Sequence, residues 1–198
     1  RQVTHLRFAT LELVRGEWRG YNYNLNQRGD APADGQLDVS VVNIEENASR
    51  EPVNYVLPPG VTRIVDPGQS QITQLNEQSM SLKVTGLNPG DARAVYRNTM
   101  LDLRNYKRLQ MWIRAESLIN NATQLQSGQL SLFVRLGTDV KQNFYEYEVP
   151  LELTPHGKYN NDLPSDRRIV WPESNFLNFS LQSLVNLKKQ RNEAKRNE

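Results

Sequence analysis

The carboxylates of the sequence are the first residues whose spacing could support catalysis. Glu146 and Glu148 lie two residues apart, which would place both side chains on one face of a β-strand. Glycoside hydrolases use such paired carboxylates, one as the acid and the other as the nucleophile. The alternation with Tyr145 and Tyr147 is equally typical of a strand with one solvated face. We favour the solvated face, because Glu152 continues it.

Histidines and loop aspartates are the other candidates for catalysis or metal binding. His5 and His156 lack the spaced partners that a metal site or a serine triad needs. Carboxylates in the loops of a jelly roll can bind calcium, although no EF-hand spacing is present. We therefore predict no enzyme and no cofactor, with a structural Ca²⁺ as the alternative to turn-forming aspartates. The four loop aspartates are Asp66, Asp91, Asp102 and Asp139.

Composition excludes several classes of function. The 198 residues include 24 Lys and Arg against 22 Asp and Glu, a net charge of +2 that argues against a nucleic-acid partner. Only Lys188–Arg196 is locally basic. The absence of cysteine removes thiol catalysis, Cys-ligated zinc and disulfide bonds. No apolar run is long enough for a transmembrane helix, so we predict a domain that does not itself span the membrane.

Tryptophans and a neighbouring arginine are the candidate binding residues. Trp18, Trp112 and Trp171 could form a sugar-stacking platform, and packing inside the fold is the favoured alternative. Trp112 and Arg114 lie two apart on a predicted strand, opposite its inward side chains. Because tryptophan and arginine are frequent anchors of protein interfaces, we predict Trp112 and Arg114 as an interface patch.

Short alternating segments, separated by turn signals, predict the fold that positions these residues. Half-polar faces argue against a parallel sheet buried on both sides. We predict an all-β fold, an antiparallel β-sandwich of jelly-roll type. Prolines between Pro52 and Gly68 predict an ordered but irregular crossing. The predicted strands are Leu6–Val14, Leu37–Ile44, Met80–Val84, Ala92–Tyr96, Leu109–Ala115, Leu130–Leu136 and Asn143–Leu153.

The periodicity changes in the C-terminal part of the chain. We predict residues 1–172 as the β-sandwich module, with a flexible loop at about residues 20–36. Residues 173–198 are predicted to form a C-terminal α-helix and a polar tail that continue into a longer parent chain. Pro172 and Glu173 suit a helix start, and basic residues suit its end. The apolar stripe of this helix is Leu177, Leu181, Leu184, Val185 and Leu187.

The central run of the chain carries a distinctive pattern. Its segments are Val53–Gly60, Gln74–Ser79, Pro89–Tyr96, Leu101–Arg104 and Tyr106–Met111. The pattern is long and ungapped and covers about a third of the chain, and Val42–Asn47 fits it as well. Together these segments resemble the SprA/Sov family, giant outer-membrane proteins of gliding motility and type IX secretion.

The resemblance implies that the parent is a very large β-barrel translocon and that this chain is one soluble, non-catalytic domain of it. As a structural or interaction module, it would contact the parent barrel, secretion-system lipoproteins or secreted cargo. The implied location is the outer membrane or cell surface, on the extracellular side, because outer-membrane barrels place their long loops outside. The alternative function is a carbohydrate-binding β-sandwich that binds glycans at the cell surface.

Overall fold

A computed structural model gives the three-dimensional structure of the chain. It describes residues 18–25, 35–63, 65–66, 73–74, 77–99, 102–118 and 125–196. The chain forms two compact units, each built from two separate stretches. Unit 1 comprises Arg1–Leu37 and Val84–Met100, and unit 2 comprises Asp38–Lys83 and Leu101–Glu198. The strand predicted at Leu6–Val14 lies outside the described residues.

Short strands predominate, and the longest helix comes last. In chain order, the described residues form β1 (Arg19–Tyr21), β2 (Gln36–Asn43), α1 (Ile44–Asn47), β3 (Val65–Asp66), β4 (Thr73–Gln74), β5 (Gln78–Thr85), β6 (Ala94–Tyr96), β7 (Arg108–Met111), β8 (Ser131–Gly137), β9 (Phe144–Pro150), α2 (Pro164–Val170), β10 (Leu177–Ser180) and α3 (Leu181–Ala194).

The strands pair two by two. The sheets of the described part are β1–β6, β2–β5, β3–β4, β7–β10 and β8–β9. The pairs with a defined register are antiparallel. The predicted strand-rich chain with antiparallel pairing and a C-terminal helix is confirmed. Within the described ranges each sheet stops at two strands, so the closed β-sandwich or jelly roll is not confirmed and stays a prediction.

Unit 1 contains a short ladder with packed aromatic side chains. β1 lies antiparallel to β6. The Tyr21 ring stands edge-on to the rings of Tyr23 and Tyr96, with centroid distances of 5.7 and 6.4 Å. The first residues of the flexible loop predicted at about 20–36 therefore belong to a paired strand. Residues 26–34 of that loop lie outside the described part.

The first apolar core of unit 2 is built from the β7–β10 and β8–β9 sheets and the start of α3. Phe179 of β10 lies opposite Leu109 of β7, and the two-residue period turns both side chains to the same face. Tyr147 of β9 stacks on the Phe179 ring with a centroid distance of 4.7 Å. The buried members of this core are Ile113, Ala115, Val149, Leu151, Leu177, Phe179 and Leu181.

The second core of unit 2 surrounds the proline-rich crossing. Residues 53–58 are buried, although they form no regular strand. Side chains therefore satisfy backbone groups that a ladder would otherwise pair. The Asn161 Oδ1 atom accepts from the Leu57 N–H at 2.9 Å, and the Trp171 indole donates to the Val56 carbonyl at 2.8 Å. The ordered but irregular crossing is confirmed up to Arg63, whereas Val65–Asp66 form β3 and residues 64, 67 and 68 lie outside the described part.

Helix α2 was not predicted, and it supplies the crossing with a further partner. Pro164 occupies its first turn and Asp166 suits its positive end. The guanidinium of Arg167 donates to three carbonyls of the crossing, which have no ladder partner. These bonds go to Leu57 at 2.7 Å, Pro58 at 2.8 Å and Val61 at 2.6 Å.

The sequence predicted that the C-terminal helix begins near Glu173. In the structure this helix begins at Leu181. Glu173–Asn175 form a single 3₁₀ turn, and the next residues form β10. Within β10, buried and half-buried residues alternate with a period of two, because the strand pairs with β7. This tertiary pairing overrides the local helical pattern. Ser180 then caps α3 by accepting from the Gln182 N–H at 3.3 Å.

Candidate functional site

The paired carboxylates lie on the solvated face of β9. Glu146 and Glu148 are both exposed, opposite Arg135 and Phe133 of β8. The Arg135 Nε atom lies 2.5 Å from the Glu146 Oε2 atom. The same guanidinium lies 4.2 Å from the centroid of Phe144. The polar-face interpretation of the two glutamates is confirmed, and Glu146 serves as the partner of a cross-strand ion pair.

His156 contacts a serine that the sequence analysis did not single out. Its Nε2 atom lies 3.0 Å from both the Ser117 hydroxyl and the Ser117 carbonyl oxygen. A serine nucleophile also needs an acid that orients the imidazole. Within the described residues no carboxylate makes that contact with His156. The contact between Ser117 and His156 instead joins two chain segments. The same two segments are joined nearby by the Thr154 N–H, which donates to the Ala115 carbonyl at 2.8 Å.

Two of the loop aspartates accept hydrogen bonds, Asp91 from the distant Asn24 side chain and Asp139 from its own loop. In the β8–β9 loop, the Asp139 carboxylate accepts from the N–H groups of Lys141, Gln142 and Asn143. These backbone bonds hold the pKa of Asp139 well below its usual value. Across the described ranges no three metal-ligating side chains come together. The structural Ca²⁺ stays a prediction.

The three tryptophans differ in burial and do not all belong to the same unit. Trp171 is buried, and Trp112 is half-buried with its ring 4.4 Å from that of Phe176. Trp18 is exposed and belongs to unit 1. Arg114 points inward, with only 9% of its side chain exposed. The interface patch of Trp112 and Arg114 stays a prediction, and the contacts that the structure gives both residues are internal.

Arg114 belongs to a triad of charges at the edge of the second core. Arg50 donates to one carboxylate oxygen of Glu116, and the Arg114 Nη2 atom lies 3.3 Å from the other. Arg114 Nη1 also donates to the Asn54 carbonyl at 3.3 Å. Burial lowers the pKa of Arg114, and the neighbouring Glu116 opposes that shift. A single carboxylate thus compensates two cations in a largely desolvated place.

A second polar contact ties β5 to the proline-rich crossing. The Tyr55 hydroxyl donates to the Glu77 Oε2 atom at 2.5 Å and lies 2.8 Å from the Ser79 hydroxyl. Burial raises the pKa of Tyr55, and the bond to Glu77 adds to the rise. Tyr55 therefore stays a neutral donor at physiological pH. The contact also shows that Ser79 faces the core.

An open groove of about 380 Å³ runs beside this core. Asn54 and Tyr159 line it and bind each other through two hydrogen bonds. Asn54 Nδ2 donates to the Tyr159 carbonyl at 2.9 Å, and the Tyr159 N–H donates to Asn54 Oδ1 at 2.7 Å. Lys158 and Asp166 lie at the same groove. An aromatic ring, amides and two opposite charges form a surface of the kind that binds polar ligands.

An exposed apolar surface of unit 2 lies on the β2–β5 pair. Val42 packs against the second core and Ser79 bonds to Tyr55, so these positions mark the inner face. The two-residue period then turns the alternate positions outward. Alternation along each strand indicates which side chains share a face, but it does not show whether that face is covered. The outward residues are Val39 (41% exposed), Val41 (57%), Met80 (43%) and Leu82 (39%).

The helices of the described part are too short or too polar for membrane crossing. The longest of them, α3, has 14 residues, and none meets the length and apolarity that such a helix needs.

The chain matches a protein family along its whole length. The model of the SprA_N family, described as "Motility related/secretion protein", covers residues 1–198. No curated protein matches the chain. The likeness that the central run predicted is thereby confirmed. Because the match spans every residue, the chain belongs to the SprA_N family of motility-related and secretion proteins.

Proposed function

We propose that this chain is a non-catalytic interaction module of a protein-secretion machinery. The observation that carries the proposal is the outward face of the β2–β5 ribbon, with its four exposed apolar side chains. Contiguous apolar surface of this kind marks contact sites. Each strand of the ribbon also keeps one unpaired edge among the described residues. The partner we propose is an extended polypeptide segment, because such a segment adds a strand at a free edge.

The setting we propose is type IX secretion and gliding motility, at the outer membrane or cell surface and on its extracellular side. The extended segment would come from secreted cargo, a secretion-system lipoprotein or the rest of the parent barrel. Family membership supports a secretion-related role. Non-catalytic action is supported by the solvated position of Glu146, which pairs with Arg135.

The test replaces apolar surface by polar surface without changing the strand. The double variant Val41→Thr with Leu82→Thr keeps β-branched or β-compatible residues on the ribbon. In the full-length protein we expect normal barrel assembly and a loss of cargo secretion. The matched control is Asp38→Thr with Lys83→Thr, which changes two exposed ribbon residues and leaves the net charge unchanged. We expect this control to secrete normally.

Either of two outcomes contradicts the proposal. If the Val41 and Leu82 variant secretes as well as the wild type, the ribbon is no contact site. If the Asp38 and Lys83 control fails equally, the ribbon acts through its fold and not through its apolar face. Circular dichroism of the purified chain checks that both variants are folded.

The alternative function is glycan binding, and the groove beside Tyr159 is the observation that favours it. Its ring, its amides and the charges of Lys158 and Asp166 suit a saccharide. A glycan array with the purified chain, followed by thermal shift with and without EDTA, tests this function and any Ca²⁺ dependence. Lys158→Ala should abolish a glycan signal that originates in the groove. A signal that persists in that variant places glycan binding elsewhere.

A further inference from the structure

One face of helix α3, called the seam below, packs into the first core near the start of the helix and extends beyond that core. Leu181 and Leu184 pack into that core, one buried and one half-buried. Lys188, Arg191 and Lys195 follow at spacings of four, three and four residues. Such spacing keeps all five side chains on one face of the helix. The face is therefore apolar where it meets the core and cationic where the helix leaves it.

The cationic half of this face forms no ion pair among the described residues of unit 2. Between residues 188 and 196 the sequence has five cations and one carboxylate, Glu193. All of these residues are exposed, and none of the five cations forms an ion pair within the described residues. The guanidinium groups of Arg191 and Arg196 donate to the uncharged Asn192, to its side-chain oxygen and its carbonyl. The helix dipole favours cations in the last turn alone, so it does not account for Lys188.

Apolar side chains flank the cationic seam. Val185 is 46% exposed and Leu187 is 52% exposed. On a helical projection they lie on either side of the line through Leu184 and Lys188. The opposite side of the helix is formed by uncharged polar residues together with Lys189 and Glu193. A surface with a basic centre and an apolar edge is the complement of an acidic, amphipathic surface.

We propose that this face of α3 docks an acidic, amphipathic polypeptide. The partner presents carboxylates to Lys188, Arg191 and Lys195 and apolar side chains to Val185 and Leu187. A lipid surface fits less well, because an interfacial helix needs an apolar face along its length and the second half of α3 has none. Duplex nucleic acid fits less well, because the chain has a net charge of only +2.

The test uses the purified chain and a synthetic amphipathic peptide. The peptide has leucine and glutamate at alternating core positions of its heptads, and a matched peptide has glutamine in place of glutamate. Isothermal titration at low and high salt measures both affinities. We expect the glutamate peptide to bind, the glutamine peptide to bind at least about tenfold more weakly, and added salt to reduce the difference.

Charge reversal on the helix locates the contact. Lys188→Glu with Arg191→Glu places two carboxylates on the seam, and we expect affinity for the glutamate peptide to fall at least about tenfold. Lys189→Glu with Arg196→Glu makes the same change in net charge away from the seam and should cost less than about threefold. Glutamine at 188 and 191 gives a milder variant that preserves helix propensity.

Three results overturn the proposal. One is no detectable binding of the glutamate peptide. Another is an equal loss of affinity in the two charge-reversed variants, which would show attraction without a defined face. The third is tighter binding of phosphatidylglycerol vesicles or duplex DNA than of the glutamate peptide. Since this surface is separate from the β2–β5 ribbon, failure here leaves a secretion defect of the ribbon variant, and hence the proposed function, intact.

Discussion

Charged side chains inside unit 2 show what single residues contribute to it. Spacing on a predicted strand placed Trp112 and Arg114 together, and exposure to a partner was the predicted reason. The structure gives Arg114 internal partners, namely Glu116, Asn54 and the Trp171 ring, which lies 5.9 Å away, and the interface patch stays a prediction. Residue spacing shows which side chains share a face. It does not show which distant part of the chain covers that face.

Loss of the shared carboxylate should strongly destabilise unit 2. Glu116→Ala leaves Arg114 buried without its counter-charge, and we expect the free energy of unfolding to fall by about 3–5 kcal/mol. Urea denaturation measures the change. Glu148→Ala removes a carboxylate from the solvated face of β9 and should stay within about 0.5 kcal/mol of the wild type. Similar small losses in both variants would show that the Arg114 charge does not depend on Glu116.

At the scale of elements, the strands β8 and β9, which pair as a hairpin, were predicted best. Their alternating residues lie where the two-residue period placed them, because both faces of a hairpin are set by local sequence. The start of the C-terminal helix was predicted worse, since pairing of β10 with β7 joins residues far apart in the chain. Helix α2 had a readable signal in Pro164 and Asp166, although seven residues give little periodicity.

The turn of this hairpin should depend on pH through Asp139. The pKa of Asp139 is lowered by backbone N–H donors that favour its charged form. A lowered folded-state pKa means that the stabilisation is complete above the unfolded value of about 3.9 and is lost as the pH falls through the folded value. We therefore expect Asp139→Ala to be less stable than the wild type near neutral pH, by a margin that shrinks in acid.

Urea denaturation over a pH series measures this margin. Asp162→Ala, in another exposed loop, serves as the matched control. A difference between Asp139→Ala and the wild type that stays constant down to the most acidic pH would mean that the carboxylate charge does not stabilise the loop.

At the scale of the whole molecule, the sequence predicted the family and the strand-rich class but not the division into two units. Each unit is assembled from two stretches that are distant in sequence. The local periodicity of the sequence contains no information on which distant stretches pack together into one unit. Turn signals likewise predict where strands end, whereas the pairing of strands into sheets of two depends on contacts between distant residues.

Hydrogen exchange should separate the core of unit 2 from the cationic end of α3. The Tyr55 N–H bonds to the Asn47 carbonyl at 2.9 Å in the second core, and Thr154 is equally buried. Their exchange requires opening of the core, whereas α3 beyond Leu184 is exposed throughout. A helix of 14 residues is only marginally stable alone.

Mass spectrometry should therefore show peptides from residues 188–196 exchanging at least about a hundredfold faster than peptides spanning Tyr55. Equal protection of both would mean that a contact within the chain already covers the cationic face, which would then be closed to any partner.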